Sequence, residues 1–114
     1  MAVIYIKDLV VEAKHGLHPH EKTQSQRFRI SVELTVTDTA TDSDKIEDTL
    51  NWSTLRDQLI DTVQKNSFNL IERLAKAVGD KLLSNKGVQN VSVSIDKLDA
   101  FDNGVPGIRL EIAS

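Results

Sequence analysis

Phe28, Ile30, Val32, Leu34 and Val36 alternate with Arg29, Ser31, Glu33 and Thr35. A period of two over nine residues predicts a long strand with one buried face. A second alternation, Val91, Val93 and Ile95 against Ser92, Ser94 and Asp96, predicts a strand from Gln89 to Lys97. The Val-, Ile- and Tyr-rich stretch from Ala2 to Val11 reads as a first strand, and Ile108, Leu110 and Ile112 as a last one. Between the two strand pairs the period changes. Leu55, Leu59, Ile60 and Val63 fall on one helical stripe, with Ser53 as the expected cap. Leu70, Ile71, Leu74, Ala75, Ala77, Val78, Leu82 and Leu83 form a second, more apolar helix, ended by Asn85 and Gly87. The loop from about Lys14 to Gln26 carries Gly16 and Pro19 as breakers, and Asp102-Asn103-Gly104 signals a turn. Residues Thr37 to Thr49 are polar and acidic and predict a connection.

The order strand, strand, helix, helix, strand, strand predicts an α+β architecture, ββααββ. A four-stranded antiparallel sheet would carry both helices on one apolar face. The chain reads as a single domain over residues 1–114. Long outer strands would leave open edges, which another copy of the chain could pair with or close into a barrel.

Composition narrows the partners. Hydrophobic residues make up 39% and aromatic residues only 4%, so the core must rest on aliphatic side chains. A net charge of −3 argues against nucleic acid or an anionic membrane as a partner. The absence of cysteine removes disulfides, thiolate zinc sites and cysteine nucleophiles, and suits a cytoplasmic setting. Lys7 and Asp8 interrupt the apolar N-terminus, so no signal peptide is expected. No apolar run approaches the roughly 18 residues of a membrane span.

Lys97 is the anomaly. It continues the parity of Val91, Val93 and Ile95, so its ammonium is expected on the apolar face. It must either snorkel to water at the rim or lose solvation, and desolvation moves a lysine toward the range of a general base. Glu72 admits two readings. Asn69 is a natural N-cap, which makes Glu72 the reciprocal member of a capping box. Alternatively, its carboxylate accepts from a planar pair of donors, such as an amino group beside a ring N–H. Glu21 is a loop carboxylate, either solvated or functional. His15, His18 and His20 cluster within six residues, but their spacing matches no usual zinc pattern and no metal site is expected. A pH-sensitive or substrate-facing loop is the other use of such a cluster. Trp52, the sole tryptophan, is either a packing anchor or a flat wall for an aromatic ligand.

Taken in order, His15-Gly16-Leu17 with Glu21-Lys22, Gln26-Arg27-Phe28, Asp48-Thr49-Leu50-Asn51, Asn69-Leu70-Ile71-Glu72-Arg73-Leu74-Ala75 and Lys97 resemble the dihydroneopterin aldolase family. That family includes dihydroneopterin triphosphate epimerase. Each motif is weak alone; the ordered set spans nearly the whole chain. The resemblance implies the tunnelling fold (T-fold), whose subunits close into a barrel as a homo-oligomer, a tetramer or stacked octamer, with active sites between subunits. It implies a pterin as small-molecule substrate and a retro-aldol cleavage of dihydroneopterin to hydroxymethyl-dihydropterin and glycolaldehyde, a step of folate biosynthesis, together with side-chain epimerisation. Lys97 would be the base, acting through water. Glu72 would anchor the pterin edge, framed by the Ile71 backbone. Glu21 would approach from a neighbouring subunit, and Leu50 and Trp52 would complete the binding set. The dihydropterin ring holds an imine that accepts the electrons of the breaking bond, so neither metal nor other cofactor is implied.

Two positions depart from the family. It usually has tyrosine, which can move a proton, where this chain has Trp52. Aldolases commonly read Lys-Pro where this chain reads Lys97-Leu98, which is closer to the epimerase branch, whereas Pro19-His20-Glu21-Lys22 is closer to the aldolase loop. The alternatives to the aldolase reading are therefore the triphosphate epimerase and a non-catalytic pterin-binding protein.

Overall fold

The computed structural model describes all 114 residues. Strands β1 (Ala2–Ala13) and β2 (Gln26–Val36) precede a one-turn helix α1 (Ala40–Ser43) and two longer helices, α2 (Trp52–Gln64) and α3 (Ile71–Leu83). Strands β3 (Val88–Lys97) and β4 (Gly107–Ala113) close the chain. The four strands form one antiparallel sheet in the order β1-β2-β3-β4, the ββααββ plan expected from the hydrophobic pattern. No helix is long and apolar enough to cross a membrane.

Register explains which side chains meet the helices. Ile30, Val32 and Leu34 of β2 pair with Ile95, Val93 and Val91 of β3, and all six are buried. They meet Leu55, Leu59 and Val63 of α2 and Leu74, Val78 and Leu82 of α3 in one core. Burying each such aliphatic side chain contributes about 1.5–3 kcal/mol. Gly79 lets α3 approach the sheet closely, because a Cβ there would overlap Ile112 of β4.

In β1 the parity switches. Ile4 and Ile6 face the core opposite Leu34 and Val32, whereas Leu9 and Val11 face it opposite Ile30 and Phe28. One extra residue at Asp8, with φ of 60°, makes the switch, and its N–H donates to Ser31 Oγ at 2.9 Å. This bulge keeps an edge strand of twelve residues apolar on one side throughout.

Three local expectations are corrected. The cap of α2 is Asn51, whose side chain accepts from Ser53 N–H at 2.8 Å; Ser53 lies inside the helix. Helix α3 begins one residue later than the capping-box reading requires, with Leu70 at the cap and no side-chain cap bond. Asn69 is engaged elsewhere, as acceptor for Lys22 Nζ. The acidic connection after β2 contains α1 and a 3-10 turn, Ile46–Asp48. Neither buries a residue, which is why no apolar period marked them.

Candidate active site

The end of β3, the Pro19–Lys22 turn and the start of α3 enclose a cleft of about 720 Å³. Lys97, Glu21, Glu72 and Ile71 all line it. The first of these stands directly opposite Phe28 in the β2–β3 ladder, so strand parity does put it on the core side. Its amine does not snorkel to open water. Lys97 Nζ donates to Glu21 Oε2 at 2.7 Å, and the two side chains are only 19% and 9% exposed.

Glu21 is held from several sides. Gln26 Nε2 donates to Oε2 at 3.0 Å and the His18 N–H to Oε1 at 3.2 Å. The adjacent Lys97 ammonium pulls the Glu21 carboxyl down to about 2, helped by Gln26 and opposed by burial. Gly16 makes the room, since a Cβ at that position would overlap the Glu21 carboxyl group. The expectation that Glu21 comes from a neighbouring subunit is thus corrected: it reaches Lys97 of its own chain.

Glu72 sits in the exposed first turn of α3 and its carboxylate makes no hydrogen bond or ion pair with the protein. It is a free acceptor on the cleft wall, at the end of the helix that favours negative charge. The capping-box role fails for the geometric reason given above.

Leu50 and Trp52 do not line this cleft. Leu50 borders a separate recess with Val36, Asp48 and Lys86. Trp52 is 59% exposed, and its Nε1 donates to the Tyr5 carbonyl at 3.2 Å. Within one chain it is neither core anchor nor ligand wall.

The histidine cluster divides. His15 is fully buried, its ring stacked on Phe68 at 5.8 Å. The Phe68 N–H donates to its Nδ1 at 3.0 Å, so Nδ1 is unprotonated and Nε2 donates to the Val63 carbonyl at 2.6 Å. Burial holds the ring's pKa below the ordinary histidine value. His15 therefore ties the α2–α3 connection to the loop after β1, which sets Glu72 against the Lys97–Glu21 pair. The sequence carried no signal for this use, because its partners are backbone atoms 48 and 53 residues away. His18 and His20 stay at the cleft rim, their rings parallel and 5.8 Å apart.

A buried amine paired with a carboxylate can hold and hand on one proton, while a free carboxylate nearby can fix a ligand edge that offers two donors. The family model for dihydroneopterin aldolase matches residues 4–113. Dihydroneopterin aldolase of Methylorubrum extorquens is 33% identical over 99 residues, 85% of this chain and 76% of that protein. Dihydroneopterin triphosphate 2'-epimerase of Escherichia coli K12 is 34% identical over 101 residues, 88% of this chain and 84% of that protein. Among solved structures, E. coli dihydroneopterin aldolase in complex with neopterin superposes with a TM-score of 0.92 at 24% identity, over 99% of this chain and 100% of that one.

Proposed function

The chain belongs to the dihydroneopterin aldolase family, and from that premise we propose that it is a dihydroneopterin aldolase-type lyase. The observation that carries the reading is the Lys97–Glu21 pair at 2.7 Å in a cleft whose opposite wall offers the unpaired Glu72. Glu72 accepts from the pterin amino group and the neighbouring ring N–H, with the Ile71 backbone beside that edge. Lys97 in its neutral form, acting through water, takes the proton from the side-chain hydroxyl next to the breaking carbon–carbon bond and becomes the ammonium that Glu21 holds. The bond electrons move into the ring imine, glycolaldehyde leaves, and the intermediate takes up a proton to become hydroxymethyl-dihydropterin. Glu21 balances the amine's charge and holds it in place. Running the bond cleavage backward with the other face of the aldehyde epimerises the side chain.

The epimerase reading draws support from 34% identity to a triphosphate 2'-epimerase. The charges of the cleft favour the unphosphorylated substrate. Its carboxylates are Glu21, Glu72 and Asp99, against the single amine of Lys97. Arg27 is committed to Asp99 at 2.7 Å, so no free cation faces a triphosphate from these walls. Assembly completes the picture. Val3, Tyr5 and Val10 are more than half exposed on the outward side of β1, an open edge strand suited to pairing with a second copy. Leu50 and Trp52, rather than Glu21, are then the residues that would enter the site of a neighbouring subunit. A cytoplasmic setting suits the cysteine-free chain. Incubation with dihydroneopterin and with its triphosphate side by side, scored for released two-carbon aldehyde (free or phosphorylated) and for the 2'-epimer of the pterin, tests the reading. Binding without product would make the chain a pterin-binding protein, and turnover of the triphosphate alone would make it the epimerase.

A further inference from the structure

The loop from β3 to β4 is fastened at its base and free at its tip. The Lys97 N–H donates to the Pro106 carbonyl at 2.9 Å, and the Leu98 N–H to the Arg27 carbonyl at 3.1 Å. Asp99 accepts from the Arg27 N–H at 2.8 Å, from its Nε at 3.1 Å and from its terminal nitrogen at 2.7 Å. Beyond Asp99, residues 100 to 105 make no hydrogen bond to the rest of the protein. Phe101 lies in this stretch, lines the cleft four residues after Lys97, and is 63% exposed.

A single exposed phenyl ring is ordinary on a protein surface. Phe101 stands out because the chain's other rings are engaged or distant. Phe28 packs edge-on against His15, and Phe68 has His15 on one side and the Arg73 guanidinium over its ring. The His18 and His20 rings lie parallel to each other. Tyr5 and Trp52 do not line the cleft. A flat bicyclic ligand fixed at its edge by Glu72 has two faces; Trp52 of a neighbouring subunit would cover one, and among the phenyl, phenol and indole rings of its own chain only Phe101 lines the cleft to meet the other. We infer that Phe101 stacks on the ring of a pterin-type ligand and positions it beside Lys97. This rests on the proposed pterin chemistry of the cleft. The pinned base, Leu98 and Asp99, tethers the free tip so that the Phe101 ring stays within reach of the amine.

The test measures neopterin binding by equilibrium dialysis, steady-state kinetics with dihydroneopterin, and particle mass by light scattering. Phe101→Ala is expected to raise Kd and KM about tenfold or more, the scale of one lost base–aromatic stack, with kcat largely kept. Phe101→Tyr and Phe101→Trp should retain affinity, whereas Phe101→Leu, with apolar bulk and no ring, should behave like Phe101→Ala. Unchanged affinity in Phe101→Ala, full affinity in Phe101→Leu, or a weakened variant whose mass also changes would each overturn the stacking role. Failure of the unaltered protein to bind neopterin would overturn the pterin reading itself, which separates the two.

Discussion

Lys97 Nζ and Glu21 Oε2 meet at 2.7 Å across 76 residues of sequence, one from a strand end and the other from a short turn. The turn is placed by His15-Gly16, and the strand end by its register against Phe28. Lys97→Ala is expected to lower kcat by about 10²–10⁴, the usual contribution of a positioned base, while neopterin affinity is largely kept. Stopped-flow turnover alongside dialysis checks this, and a variant with normal turnover would remove Lys97 from the chemistry.

Glu21 links the same pair to acid stability. Its folded-state pKa lies near 2, below the ordinary 4.5. A depressed carboxyl contributes stability that is present above the ordinary value and lost as pH falls through the folded one. Urea midpoints should therefore decline between about pH 5 and pH 2, and Glu21→Gln should flatten that decline. An identical slope in the variant would mean that the pair does not persist in solution.

Glu72→Gln should leave thermal stability close to unchanged, because its carboxylate has no partner within the chain. Pterin binding should weaken by about 2–5 kcal/mol, the cost of mispairing one side of a buried charged contact. Calorimetric titration with neopterin measures it; equal affinity would return Glu72 to a solvated helix terminus.

Gly16→Ala is expected to abolish turnover without touching any reacting group. The added Cβ overlaps the Glu21 carboxyl, and the backbone at φ of 155° is strained for a side chain. Glu21 must move, and Lys97 loses its partner. Full activity in this variant would show that the pairing is dispensable.

His15→Ala removes the partners of the Phe68 N–H and the Val63 carbonyl. Leaving a buried polar group unpaired costs about 1–3 kcal/mol each, so the denaturant midpoint should fall accordingly. His15 also has a lowered folded-state pKa, through burial. Its stabilising effect is present above the unfolded histidine value and fades as pH drops below it, so His15→Phe should lose stability more gently on acidification. Parallel acid profiles for the two proteins would contradict a buried, neutral ring.

The strands and the face of Lys97 were legible in the sequence because alternation encodes side as well as structure. Val91, Val93 and Ile95 fixed which way the amine points. Its distance to Glu21 was not legible, since it depends on a turn brought back from the far end of β1. The α3 cap was misread because Asn69 had a competing partner in Lys22, and local motifs do not reveal long-range competitors. Trp52 and Phe101 show the same limit from opposite sides. Both are planar residues in polar surroundings, and only the packing of the elements decides which one borders the cleft.

Register has a final consequence for quality control. The pairing from Phe28–Lys97 to Leu34–Val91 runs without interruption, and irregularity appears only beyond Thr35. A slip of one residue would turn Val91, Val93 and Ile95 outward together with Lys97. A mispaired sheet is therefore unstable and inert at once. Specific activity in this protein doubles as a count of correctly paired molecules, and a preparation that stays dissolved and folded has no route to losing its amine by misregistration alone.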